Sequence, residues 1–124
     1  MTTRIEQAVS DGYIERRGKT DREFNAYFAY CQTQKRPFVR LERRRTHYRV
    51  EVELSSLCHR LTEPMQQQAL DMFLAVLPGG PKANTHFSPG LIFCDRIPPE
   101  HAQRIASELF ALAAAAPHRE QAGA

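Results

Sequence analysis

Seven basic residues stand within fifteen positions, Lys35, Arg36, Arg40, Arg43, Arg44, Arg45 and Arg49, with Glu42 the one acid among them. A guanidinium grips phosphate through two parallel hydrogen bonds, so this density is chemistry for a polyanion. The run Arg43-Arg44-Arg45 falls between two segments of alternating polarity, which places it at the tip of a β-hairpin. A protruding ribbon tipped by three arginines can reach a groove or a phosphate backbone. Glu42, Glu51 and Glu53 can neutralise Arg40 and Arg49 across the strands, but they are too few to occupy Arg43, Arg44 and Arg45 as well. Ahead of the hairpin, Arg22, Asn25, Ala29, Gln32 and Arg36 recur on the outer face of a helix, and Arg, Asn and Gln are side chains that read base edges. The expected contact set is therefore Arg43, Arg44 and Arg45 on phosphates, with Arg40, Arg49, Lys35, Arg36, Arg22 and Gln32 around them.

Catalytic signals are thin beside this. The histidines His47, His59, His86, His101 and His118 never stand three or four apart, the spacing that pairs ligands on a helix face. Cys58-His59 joins a thiol to an imidazole, but sequence neighbours point apart, so a buried cysteine beside an exposed histidine is the favoured reading. Cys94 ends an apolar run some four residues before a helix, where a thiol can be made more acidic, although a core role is commoner. Pro78-Gly79-Gly80-Pro81-Lys82 lacks the spacing and the Ser/Thr of a phosphate-binding loop, and Gly79 or Gly80 ending a helix explains the glycines. No carboxylate pair suggests glycosidase chemistry and no Gly-x-Ser-x-Gly elbow is present. A non-catalytic protein without metal or cofactor is expected.

The elements that must position these residues follow from spacing. Thr3 and Glu6 form a capping pair for a short helix from Arg4 to about Ser10, stopped by Gly12. Tyr13 to Gly18 fits a loop or an edge strand. Thr20 and Glu23 repeat the capping pair, and Phe24, Tyr27, Phe28 and Cys31 line one face of a helix over about Asp21 to Lys35, ended ahead of Pro37. Val39 and Leu41, then Tyr48, Val50, Val52 and Leu54, face inward from the hairpin. Its tip has no glycine and should exceed two residues. Ser55 caps a helical turn through Cys58-His59, and Thr62-Glu63-Pro64 opens a third helix. Met65, Ala69, Met72, Phe73 and Val76 form its stripe, and Leu70, Leu74 and Leu77 widen it enough to make it the most buried helix. Pro78 to Gly90 is one long irregular segment. Leu91-Ile92-Phe93-Cys94 reads as a strand covered on both faces, and Pro98-Pro99 opens a last helix with Ala102, Ile105, Ala106, Leu109, Leu112 and Ala113 inside. The tail from Pro117 should fray. The class is α+β, order α-α-β-β-α-β-α, with an antiparallel or mixed sheet of three to four strands and helices on one face. A helix, a polar-faced helix and a hairpin also open a winged helix-turn-helix. That fold needs a third helix ahead of its hairpin, and about 70 residues follow here, so no family is assigned.

A chain of 124 residues, 42% hydrophobic and 25% charged, suits one domain, residues 1–116 followed by the tail. The net charge of +3 is unevenly spread: residues 1–60 hold 13 Lys/Arg against 8 Asp/Glu, and residues 61–124 hold 4 against 6. The longest apolar run, Leu109 to Ala116, is too short to span a membrane, the N-terminus lacks a secretory pattern, and three widely spaced cysteines suit free thiols, so the cytoplasm is expected. Three functions fit. The first is a binding module contacting DNA or RNA phosphates through the basic hairpin. The second is a small protein-binding factor, such as an inhibitor, immunity protein, antitoxin or accessory subunit, that docks on an acidic protein. The third is a thiol enzyme or sensor using Cys94 or Cys58, which requires a thiol reactive below the ordinary pKa of roughly 8.5.

Overall fold

A computed structural model describes residues 3–54, 60–77 and 85–117. The elements are α1 (Arg4–Asp11), β1 (Ile14–Arg16), α2 (Arg22–Gln34), β2 (Phe38–Arg43), β3 (Tyr48–Glu53), α3 (Glu63–Leu74), β4 (Thr85–Phe87), β5 (Leu91–Ile97) and α4 (Pro99–Ala114). The class is α+β, and the strands form one five-stranded sheet in the order β1-β2-β3-β5-β4. β1 runs parallel to β2 and the other neighbours are antiparallel.

The sheet has five strands where three to four were expected, and two short strands make the difference. β1 resolves the open segment after Gly12. β4 lies inside the Pro/Gly-rich segment expected to be irregular, where three residues are too few to show alternation. Because β1 separates α1 from α2 and pairs in parallel with β2, the element order also departs from a winged helix-turn-helix. The turn at Ser55 through Cys58-His59, the stretch around Gly79, Gly80 and Lys82, and the tail beyond Pro117 lie outside the described residues.

Alternation along β2 divides the interior in two. Val39 and Leu41 enter the main core with Val50, Val52, Ile92, Cys94 and the inner residues of α3 and α4. Phe38, of opposite parity, joins Ile14, Phe24, Tyr27, Cys31 and Ala8 in a second cluster made by α1 and α2. Helices therefore reach both faces of the sheet, α1 and α2 covering only the β1 side of the second one. α4, with Ala102, Ile105, Ala106, Leu109 and Ala113 buried, is the most buried helix rather than α3, which buries only Ala69 and Phe73 and leaves Leu74 43% exposed. The reason is position: α4 crosses the central strands β2 and β3, whereas α3 lies toward β5 and α4.

Helix ends follow local chemistry. Thr3 Oγ1 accepts from the Glu6 amide at 3.1 Å, and Thr62 Oγ1 accepts from the Met65 amide at 3.3 Å. At α2 the cap is Asp21 and not Thr20, since the Asp21 carboxylate accepts from the Phe24 amide at 3.0 Å. Gly12 ends α1 in the left-handed region at φ 87°, with the Phe110 ring of α4 only 2.5 Å from where a Cβ would stand. Gly12→Ala should thus be destabilising by about 2 kcal/mol, from left-handed strain and overpacking together. Urea unfolding of the variant checks this.

Candidate nucleic-acid interface

The β2–β3 hairpin is registered Arg40↔Glu51, Glu42↔Arg49 and Arg43↔Tyr48, so residues 44–47 form the tip. The Arg44 amide donates to the His47 carbonyl at 2.7 Å and closes the loop. No tip residue takes a positive φ, which is how a connection without glycine is made here. Arg43, Arg44, Arg45, Thr46 and His47 are all exposed. Among the described residues no carboxylate stands within ion-pairing distance of Arg43 or Arg45.

The other arginines of the hairpin are engaged. Glu51, only 8% exposed, accepts from Arg40 at 3.0 Å and from Arg49 at 3.1 Å. Arg40 also meets Glu42 at 3.4 Å. Arg49 reaches Asp95 at 3.8 Å and lies over the Phe93 ring, 3.9 Å from its centroid. Both were expected as contact residues. The structure makes them a cross-strand lattice that holds the sheet face in place. Arg44 is intermediate: half-exposed, it spans Glu42 at 3.3 Å and Asp95 at 3.9 Å. Counting acids on the hairpin alone missed Asp95, which arrives from β5.

Asp95 arrives there because β5 bulges. Tyr48 pairs with Ile97 and Val50 with Cys94, so Asp95 and Arg96 together oppose Arg49. Arg96 takes a left-handed φ of 67°, a position that favours glycine, and its side chain is exposed with no carboxylate partner among the described residues. The bulge thus adds a fourth exposed arginine beside the tip, and Arg44, His47, Arg49, Asp95 and Arg96 line one open cleft. On the other side of β2, Arg16, Gly18, Lys19, Glu42 and Arg43 line a second. Arg96, Arg16 and Lys19 are far from the hairpin in sequence. The break in alternation at Asp95-Arg96 between Cys94 and Ile97 is the one signal that marks the bulge. Arg96→Gly should raise stability by about 0.5–1 kcal/mol by relieving the backbone, yet weaken anion binding. Urea unfolding and a binding titration on the same variant read both effects.

The remaining expected contacts do not gather at the tip. Lys35 caps α2 in a left-handed conformation at φ 52°, ahead of the start of β2, so it stands about 17 Å from the tip by strand rise. Gln32 is exposed near it. Arg36 is committed to structure: it donates to the Val9 carbonyl at 3.1 Å and stacks on Phe110 at 4.7 Å and Tyr30 at 5.6 Å. It joins α1, α2 and α4 and is removed from the polar outer face expected of α2. Arg22, at the opposite end of that helix, is exposed.

The described thiols are buried. Cys31 and Cys94 are both free, and burial raises both, Cys94 to about 12. The Cys94 thiol donates to the Asp95 carbonyl at 3.3 Å and faces the core, so the helix that follows does not acidify it. Cys58 lies outside the described residues. Among the described residues no cluster of three or more His, Cys, Asp or Glu side chains is arranged to hold a metal ion, and no helix is long and apolar enough to cross a membrane. Comparison with known proteins found no matching family model, no matching curated protein and no matching solved structure.

Proposed function

We propose that this chain is a non-catalytic module that binds DNA or RNA through the basic end of its sheet. The observation that carries the reading is that Arg43, Arg45 and Arg96 lie at the same end of the sheet, exposed and without carboxylate partners among the described residues. Arg44 adds a half-exposed guanidinium between them. An arginine used for stability alone is expected to find an acid or a carbonyl, as Arg40, Arg49 and Arg36 do here. Three exposed guanidiniums without an acid, with Arg44 shared between Glu42 and Asp95 beside them, suit successive phosphates instead. The left-handed backbone at Arg96 supports the same reading, since strain held at a charged surface position is a mark of a functional site.

Burial and a raised pKa disfavour thiol chemistry at Cys31 and Cys94, and free thiols suit the cytoplasm as the compartment. The test is a titration of nuclease-treated protein with labelled DNA and RNA across a series of salt concentrations. Four neutralised phosphates correspond to a slope of log affinity against log salt of about −3.6 on duplex DNA and about −2.8 on a single strand. Absence of binding at low salt would reject the reading and turn attention to an acidic protein partner.

A further inference from the structure

Among the described elements, α1 and α2 cover the sheet face opposite α3 and α4 over β1 and the start of β2. Beyond that cover a single cross-strand row runs Arg40, Glu51, Phe93, His86, set by the pairs Arg40↔Glu51, Glu51↔Phe93 and His86↔Phe93. Its far half is aromatic. The Arg49 guanidinium lies 3.9 Å from the centroid of the Phe93 ring, and the His86 ring stacks on Phe93 at 5.6 Å with 15° between the planes. Guanidinium, phenyl and imidazole thus form one stack, and its outer member, His86, is exposed on β4, the last strand of the sheet. The inner member is fixed by the nearly buried Glu51 and by Asp95. Arg49 also lines the cleft that holds Arg44 and Arg96, so stack and phosphate contacts are continuous.

Resting on the function proposed above, we infer that this open face is a stacking platform for the bases of a single-stranded nucleic acid. Bases of a duplex are stacked on one another and present only edges, whereas unpaired bases offer faces to aromatic rings and to arginine planes. The platform supplies both surfaces in one column, and the arginines at the hairpin end supply the charge that a strand's backbone needs. A base seated on His86 extends the stack that Phe93 and Arg49 support, and Arg44 and Arg96 share a cleft with Arg49 at its inner end. Readout by stacking is tolerant of sequence, so the ligand is defined by its single-strandedness and not by a sequence motif.

The test compares a labelled single-stranded dT oligonucleotide with a duplex of equal length, using the full chain and the variants His86→Ala, His86→Phe and Phe93→Leu. The single strand should bind at least tenfold tighter than the duplex. His86→Ala should lose about tenfold on the single strand while the salt slope is unchanged, since stacking releases no counterions. His86→Phe should restore the loss by restoring a ring, and Phe93→Leu should weaken single-strand binding while keeping apolar volume in the strand. If Phe93→Leu fails to fold, the two His86 variants decide alone. Equal affinity for duplex and single strand, or single-strand binding unchanged in His86→Ala, would overturn the platform and leave the arginine contacts standing. Binding of neither ligand would overturn both.

Discussion

Replacing Arg43, Arg44 and Arg45 together with alanine is expected to weaken nucleic-acid binding by about a hundredfold near physiological salt. On a single strand the salt slope should fall from about −2.8 to about −0.7, the share left to Arg96. The three residues differ in what they lose. Arg43 and Arg45 have no acid partner among the described residues, so no described carboxylate competes with a phosphate for them. Arg44 divides its charge between Glu42 and Asp95 and should contribute least of the three. Stability should change little, since exposed ion pairs contribute between nothing and about 1 kcal/mol. Wild-type affinity and slope in the triple variant, measured by fluorescence anisotropy, would remove the hairpin from the interface.

The second large effect is on folding and centres on Asp21. Its side chain is 5% exposed and accepts four hydrogen bonds, two from Arg4 at 2.7 and 2.8 Å and two from the Arg17 and Phe24 amides at 2.8 and 3.0 Å. Arg4 also donates to the Glu15 carbonyl, so one carboxylate ties α1, the exit of β1 and the start of α2 together. Asp21→Ala removes the helix cap and takes from Arg4, itself only 17% exposed, its two-pronged partner, leaving it Glu23 at 3.6 Å and the Glu15 carbonyl. The expected loss is about 3 kcal/mol, close to 10 °C in Tm for a domain of this size. Its acid dependence is also fixed in sign. Hydrogen bonds from Arg4 hold the folded-state carboxyl well below the usual carboxylate range. The stabilisation is therefore complete above the unfolded pKa of about 3.9 and fades as pH falls below it. Thermal unfolding of wild type and Asp21→Asn should show a wide gap at neutral pH that narrows below about pH 4. A gap independent of pH would contradict the ion pair.

What could be read in advance divides along physical lines. Caps and periodicity are local, so α1, α3, α4 and the hairpin emerge from the chain itself, down to Thr3, Thr62 and the inward row Val39, Leu41, Val50 and Val52. β1 and β4 are three residues each and exist because longer strands offer them an edge to pair with. β5 was expected to be covered on both faces. Ile92 and Cys94 are buried, but Leu91 and Phe93 remain half-exposed on the open side, which an apolar run cannot foretell. The basic tip was legible as composition. Its completion by Arg96 and the diversion of Arg44 toward Asp95 depend on a bulge, and the loss of Arg36 to Phe110 and Tyr30 depends on how α4 crosses the fold. Each of these is a contact between segments far apart in sequence.

The most direct measurement is a map of amide and arginine side-chain chemical shifts as a short single-stranded oligonucleotide is added to isotope-labelled protein. Perturbations confined to Arg43 through His47, Arg49, Phe93, Asp95, Arg96 and His86 are predicted, lost on raising the salt. Perturbations centred on the outer face of α2, at Arg22, Asn25 and Gln32, or no perturbation at all, would contradict the account.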